Sequence, residues 1–300
     1  MIHSTTALLL LIISSIAVGR VSCQCDDVTC SAYENYSVTN QDEYYFSTSD
    51  LEGVKLKAKL NSIISNHKRY SYKCVWTAVA DADADPEDPD KVIGFYTRNK
   101  FDTTNRDCAN NKGNDVWNRE HMWAKSHGFP NENQHANTDI HHLVAADKSV
   151  NVIARGSRDF KVGGEKKMYA KDNDKIICQD CRFDGGNFEP PDFVKGQIAR
   201  IMFYMDTRYE GNDFKRTKTP NLKLVNSSTS SSRAAEFGYL SELLKWHCKF
   251  PVTERECRRN NIVQKWQGNR NPFIDRPDFV KKIWISAHPI IFEDCEIKVN

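Results

Sequence analysis

Apolar residues recur at intervals of three and four through 51–67, where Leu56, Leu60, Ile63 and His67 predict one face of a helix. A second helix is predicted in PPDFVKGQIARIMFYMDTRY. Its opening prolines suit a helix start, and Val194, Ile198, Ile201 and Met205 fall on one side. SSRAAEFGYLSELLKWHCKFP predicts a third, with Phe237, Leu240 and Leu244 inward, Trp246 in the core and Pro251 as the stop. KVIGFYT, rich in β-branched and aromatic residues, predicts a short strand at 91–97. The acidic DADADPEDPD before it reads as a turn-rich surface loop. Asp81, Asp83 and Asp85 imitate calcium-loop ligands, but Pro86 and Val92 stand where that loop needs glycine and glutamate. The stretch from 115 to 160 shows neither period and holds most of the histidines. The pattern predicts one α+β domain dominated by helices, with a small antiparallel β element.

Residues 1–23 stand apart. ALLLLIISSIAV is an apolar run too short to span a bilayer and suits the core of a secretory signal, so export from the cell is expected. No other segment is apolar enough to cross a membrane. Ten cysteines fit the same oxidising compartment, and their pairing is not legible. Cys178 and Cys181 form one CxxC without a second pair, which favours a disulfide over a metal site. Asn35 and Asn226 sit in glycosylation triplets. A cysteine-bearing, extended arm at 24–49 then leads into a domain at 50–300.

The net charge of +2 says little, but its distribution is uneven. Residues 24–90 carry 6 Lys and Arg against 13 Asp and Glu, net −7, while 191–300 carry 19 against 13, net +6. A basic C-terminal part can offer a face to anions.

Candidate chemistry gathers in WNREHMWAKSHGF. A neutral imidazole is a suitable base near pH 7. A hard divalent cation needs few protein oxygens and keeps waters of its own. Glu120, His121 and Asn151 supply those groups. Asn151 and Arg155, four apart, share a helix face, so a metal ligand and a phosphate-binding cation can sit together. One constraint applies: in a regular strand Glu120 and His121 point to opposite faces, so the strand must end or bend there. Asp139, His141 and His142 invite a zinc reading, but no HExxH accompanies them and adjacent histidines seldom chelate one ion.

WNREHMWAKSHGF (117–129), TDIHHLVAADKSVN (138–151), LLKWHCKFPVTERECRRN and VQKWQGNRNPFID (within 243–275), with YKCVWTAVADADADPEDPDKVIGFYT upstream, together resemble the endonuclease I family. These are secreted or periplasmic nucleases with a ββα-metal (His-Me finger) centre. The resemblance runs from about residue 50 to 285. It implies that His121 is the general base and that Glu120 and Asn151 bind one Mg²⁺, with Mn²⁺ or Ca²⁺ as substitutes. Arg155 would contact phosphate, although it follows Asn151 by four residues where the family pattern has three. Ala124 replaces the motif's usual proline. Asp139, His141 and His142 would orient the site, and Arg119, Lys125, Arg270 and Asn271 would contact nucleic acid. The implied protein is a secreted monomer with no membrane association. It cuts DNA and RNA with little sequence preference and leaves 5′-phosphate ends. A non-catalytic nucleic-acid-binding relative is the alternative.

Overall fold

The computed structural model describes residues 30, 32, 40–108, 113, 115–164, 166–169, 176–229 and 234–295. The expected signal segment, most of the arm and the Asn35 triplet lie outside them. At the arm's end Gln41–Tyr45 is a short helix rather than extended chain, capped by the Asn40 side chain.

The helix expected from Val194, Ile198, Ile201 and Met205 spans Asp192–Arg208, and all four side chains are buried. It is buried on nearly every side, because helices Gly53–Ile64, Leu240–Lys249 and Pro272–Asp275 and strand Lys223–Val225 pack around it. Close approach to Leu240–Lys249 requires Gly196, where an added Cβ would meet the Phe250 carbonyl oxygen at 2.4 Å. In the helix Gly53–Ile64, Leu56 and Leu60 face inward as predicted. That helix ends before His67, which is buried between Asp139 and Arg208 in the irregular chain that follows. Leu240 and Leu244 face inward on Leu240–Lys249, whereas Phe237 belongs to the strand Glu236–Gly238 before it. KVIGFYT is strand only over Lys91–Ile93.

Among the helices of eight or more residues, two escape the pattern, Val75–Ala82 and Glu254–Gln267. The second opens with a reciprocal capping box between Thr253 and Glu256 and closes at Gly268, whose φ of 85° suits glycine. The acidic stretch is an exposed turn only in its second half, 86–90; its first half is drawn into the fold. Asp81 lies on Val75–Ala82 and accepts from Trp266 Nε1 at 2.7 Å. Asp83 is buried, 2.9 Å from Arg259 Nε and accepting from the Ala145 amide at 2.8 Å. Asp81 and Asp83 thus meet partners brought from distant sequence.

The segment without a period contains the element that organises the molecule. Trp117–His121 pairs antiparallel with Leu143–Asp147, in register from Trp117 opposite Asp147 to His121 opposite Leu143. All five residues of Leu143–Asp147 are buried. Leu143 and Ala145 join a core with Val75, Val79, Trp117 and Trp266; Val144 and Ala146 join the larger core around the central helix. A strand covered on both faces loses the alternation that marks half-buried strands. Beyond it, a four-stranded mixed sheet runs in the order Asp159–Phe160, Asn187–Glu189, Ile176–Phe183, Lys166–Tyr169.

Disulfides join Cys30 to Cys74, Cys178 to Cys181 and Cys248 to Cys295, while Cys257 is free. The CxxC is therefore a disulfide, as its isolation suggested. No helix among the described residues is long and apolar enough to cross a membrane.

Candidate active site

The hairpin's alternation divides the candidate residues between its faces. Residues paired across an antiparallel ladder share a face. Trp117, Arg119 and His121 therefore lie on the side of Leu143 and Ala145, and Asn118 and Glu120 on the side of Val144 and Ala146. The strand ends at His121, as cooperation between Glu120 and His121 requires.

On the Glu120 face, the chain after Leu143–Asp147 turns into the helical segment Val150–Arg155, which has π geometry. The Gly156 amide donates to the Asn151 carbonyl, an i to i+5 bond of 2.8 Å. From this wider turn both Asn151 and Arg155 reach the hairpin. Asn151 Nδ2 donates to Asn118 Oδ1 at 2.9 Å, which leaves Asn151 Oδ1 without a hydrogen bond among the described residues. Arg155 Nε lies 3.2 Å from Glu120 Oε1, and the Tyr96 hydroxyl donates to the same oxygen at 3.2 Å. Burial pushes the Glu120 carboxyl up to about 7, against the opposing pull of Arg155 and Tyr96. Positive charge placed beside it would keep it ionised. One carboxylate and one amide oxygen form a hard donor set suited to Mg²⁺ rather than to a soft metal.

Arg155 does a different job from the one expected. It is fully buried, donates to the carbonyls of Met122 at 2.7 Å and Arg158 at 2.5 Å, and lies over the Phe160 ring. It serves Glu120 and the local backbone instead of reaching outward to phosphate.

On the other face, His121 Nε2 lies 3.0 Å from the Asn137 carbonyl oxygen. A carbonyl only accepts, so Nε2 carries the proton and Nδ1 keeps the lone pair. The imidazole is packed among Tyr72 at 6.0 Å, His142 at 5.4 Å and Phe129 at 6.5 Å between ring centroids. Burial first, then the neighbouring His142, hold its pKa well below the usual histidine value, so the ring is neutral.

His142 supports this arrangement from beneath, with Nε2 donating to the Ala136 carbonyl at 2.6 Å. Asp139 and His141 face the opposite way. Asp139 accepts from the hydroxyls of Tyr204 and Tyr209, from Gln267 Nε2 and from the His141 amide, all within 2.8–3.0 Å, with His67 Nε2 at 3.9 Å. Burial opposes its ionisation, but His67, His141, His142 and Gln267 outweigh that and hold it below the carboxylate range. His141 Nε2 turns to the Asn269 carbonyl. The two histidines thus diverge to different carbonyls, which does not favour the zinc reading.

The remaining candidates separate clearly. Lys125 is exposed in the loop after His121. Arg119 stacks on Tyr72 and Trp76, 3.5 and 4.0 Å from their ring centroids. Arg270 and Asn271 are buried structural residues, not phosphate contacts. Arg270 makes a two-pronged pair with Asp275 and also donates to Asn261 and Gln264; Asn271 caps Pro272–Asp275. Sequence reasoning missed Asn118, Tyr96 and Tyr72. Asn118 was reachable, being two residues before Glu120 on the same strand face; the two tyrosines carry no local signal.

The endonuclease I sequence model matches residues 52–278. This chain belongs to the endonuclease I family. It is 44% identical over 243 residues to an extracellular ribonuclease of Bacillus amyloliquefaciens, covering 80% of this chain and 78% of the relative. It is 43% identical over 246 residues to the extracellular ribonuclease of Bacillus subtilis (strain 168), covering 81% and 78%. An extracellular deoxyribonuclease of Aeromonas hydrophila is 30% identical over 154 residues, covering 51% of this chain and 56% of its own. Membership makes the chain a nuclease, and its disulfides agree with the extracellular setting of these relatives.

Proposed function

We propose that this endonuclease I family member is a secreted, metal-dependent endonuclease that hydrolyses phosphodiester bonds of RNA and DNA with little sequence preference. The observation that carries the reading is the division of the hairpin end into a base side and a metal side. His121 presents Nδ1 as its lone pair, while Glu120 and Asn151 offer oxygen donors from the opposite face. Neighbouring residues of one strand have Cα atoms about 3.8 Å apart, so a phosphate at the strand end can engage both. We read the hairpin and the π-helical segment as a ββα-metal centre.

In this mechanism His121 Nδ1 takes a proton from the attacking water, and the Asn137 carbonyl steadies the protonated ring through Nε2. Glu120 and Asn151 would hold a single Mg²⁺. When bound, that ion supplies positive charge to the scissile phosphate and the departing 3′-oxygen. Arg155 and Tyr96 fix the Glu120 carboxylate. Cleavage on the 3′-oxygen side leaves a 5′-phosphate. Contacts to phosphates carry no base information, which agrees with low specificity and with both ribonucleases and a deoxyribonuclease among the relatives.

The deciding experiment is digestion of plasmid DNA and of RNA with Mg²⁺ and with EDTA, using wild type and His121→Ala. Cleavage that requires the ion and falls about 10²–10⁴-fold in the variant is expected. Nucleic-acid binding without cleavage would instead support a non-catalytic binder.

A further inference from the structure

We propose that Tyr72, clamped by Arg119, is a positioning residue that holds the His121 imidazole in its working orientation; this rests on His121 being the general base. With Nε2 tied to the Asn137 carbonyl, the ring can still swing about that bond unless its sides are blocked. Phe129 and His142, both fully buried, supply two of the blocking surfaces. Tyr72 supplies a third, nearly parallel to the imidazole with planes 26° apart. Unlike the other two, Tyr72 is only half-buried and lies in irregular chain between the helices Gly53–Ile64 and Val75–Ala82. The hydrophobic core does not fix it, so it requires anchors of its own.

Arg119 provides them. Its guanidinium lies over the Tyr72 ring and the Trp76 ring, and its Nη1 donates to the Tyr72 carbonyl oxygen. Arg119 and His121 share one face of the strand, two residues apart, so one side chain touching Tyr72 from each ties the tyrosine to the strand that bears the base. Two residues beyond Tyr72, Cys74 is bonded to Cys30 of the N-terminal arm, which restrains the same stretch from the other side. The stack needs a flat, delocalised cation, so lysine does not replace arginine here. Tyr72 acts through His121, and its hydroxyl has no part in the clamp.

The test measures kcat and KM on a short fluorogenic oligonucleotide for wild type, Tyr72→Phe, Tyr72→Leu and Arg119→Lys, with thermal melting of each. Tyr72→Leu and Arg119→Lys should lower kcat about 10- to 100-fold, the scale of a reacting group displaced by about 1 Å, with KM little changed. Tyr72→Phe keeps the ring and should keep kcat. In a His121→Ala background, Tyr72→Leu should have no further effect, because there is no imidazole left to position. Unchanged kcat in both Tyr72→Leu and Arg119→Lys overturns the proposal. So does a rise confined to KM, which would make Tyr72 a substrate contact, or additive losses in the double variant. If Tyr72→Leu does not fold, Arg119→Lys and its double variant with His121→Ala decide by the same criteria. Failure of the base assignment is distinguishable: His121→Ala itself would then cleave normally, which overturns both.

Discussion

Arg155 Nε stands 3.2 Å from Glu120 Oε1, with both side chains shut away from solvent. A buried carboxylate stripped of its counter-charge is costly, about 3–5 kcal/mol for a broken pair. At about pH 9, where Glu120 is ionised despite its raised value, Arg155→Met should therefore destabilise the metal-free protein on that scale. The loss should be smaller near pH 7, where the carboxyl can take up a proton. Adding Glu120→Gln should restore part of the loss, since the unpaired charge is gone. Urea denaturation of the single and double variants checks this; a loss under about 1 kcal/mol in Arg155→Met would refute the pairing's importance.

If Glu120 and Asn151 hold the ion, Mg²⁺ binds only the folded state and must raise the melting temperature. At a concentration 100 times Kd the gain is about 2.7 kcal/mol. Glu120→Gln and Asn151→Ala should each abolish the shift. Retention of the full shift in both variants would place the ion elsewhere.

Asp83 ties three segments together: its own helix end, Arg259 on Glu254–Gln267, and the Ala145 amide inside the hairpin strand. Asp83→Ala leaves the Arg259 guanidinium buried beside an empty place. A loss of about 3–5 kcal/mol is expected. Because the latch grips the strand opposite Glu120 and His121, activity at temperatures near the lowered melting point should fall with it. A denaturant midpoint equal to wild type would contradict this role.

Acid should weaken the fold in a defined window. Burial lowers His67 and His247 to about 3, and His141 and His142 to about 4, from an unfolded value near 6.5. Between those limits the unfolded chain binds more protons, so stability rises with pH and is lost as pH falls from about 6.5 toward 3. Glu120, raised to about 7, has the opposite sign between about 4.5 and 7, as do the raised carboxyls of Asp147 and Glu210. These three stand against seven histidines lowered by burial, His121, His127 and His135 being the others. Melting temperatures of metal-free protein should drop steadily from pH 6.5 to 4. A flat or rising profile over that range would show that these histidines are protonated in the fold.

Much of the scaffold was legible. The period of Val194, Ile198, Ile201 and Met205 located the central helix, because burying one apolar stripe leaves a mark on the sequence. Leu143–Asp147 left none, since both its faces are covered and every position is apolar or hydrogen-bonded. The start of the acidic stretch misled for a related reason: composition suggests solvent, but Arg259 and Trp266, far along the chain, partner Asp83 and Asp81, while 86–90 stays an exposed turn. Arg270 and Asn271 failed as nucleic-acid contacts on the same ground, since charge alone does not reveal that Asp275, Asn261 and Gln264 already occupy the guanidinium.

By itself the sequence determined the chemistry available: Glu120 beside His121, Asn151 downstream, and family blocks in a fixed order. Those depend on residue identity and spacing, which are one-dimensional. Only the tertiary structure decided how the groups are divided and used. It put Glu120 and His121 on opposite faces of a strand that ends where they meet, and turned Arg155 inward through a π-helical segment. It also set Tyr72 and Tyr96 beside residues far away in the chain. Those outcomes depend on which surfaces pack together, and burial and hydrogen bonding between distant segments leave no local trace in the order of residues.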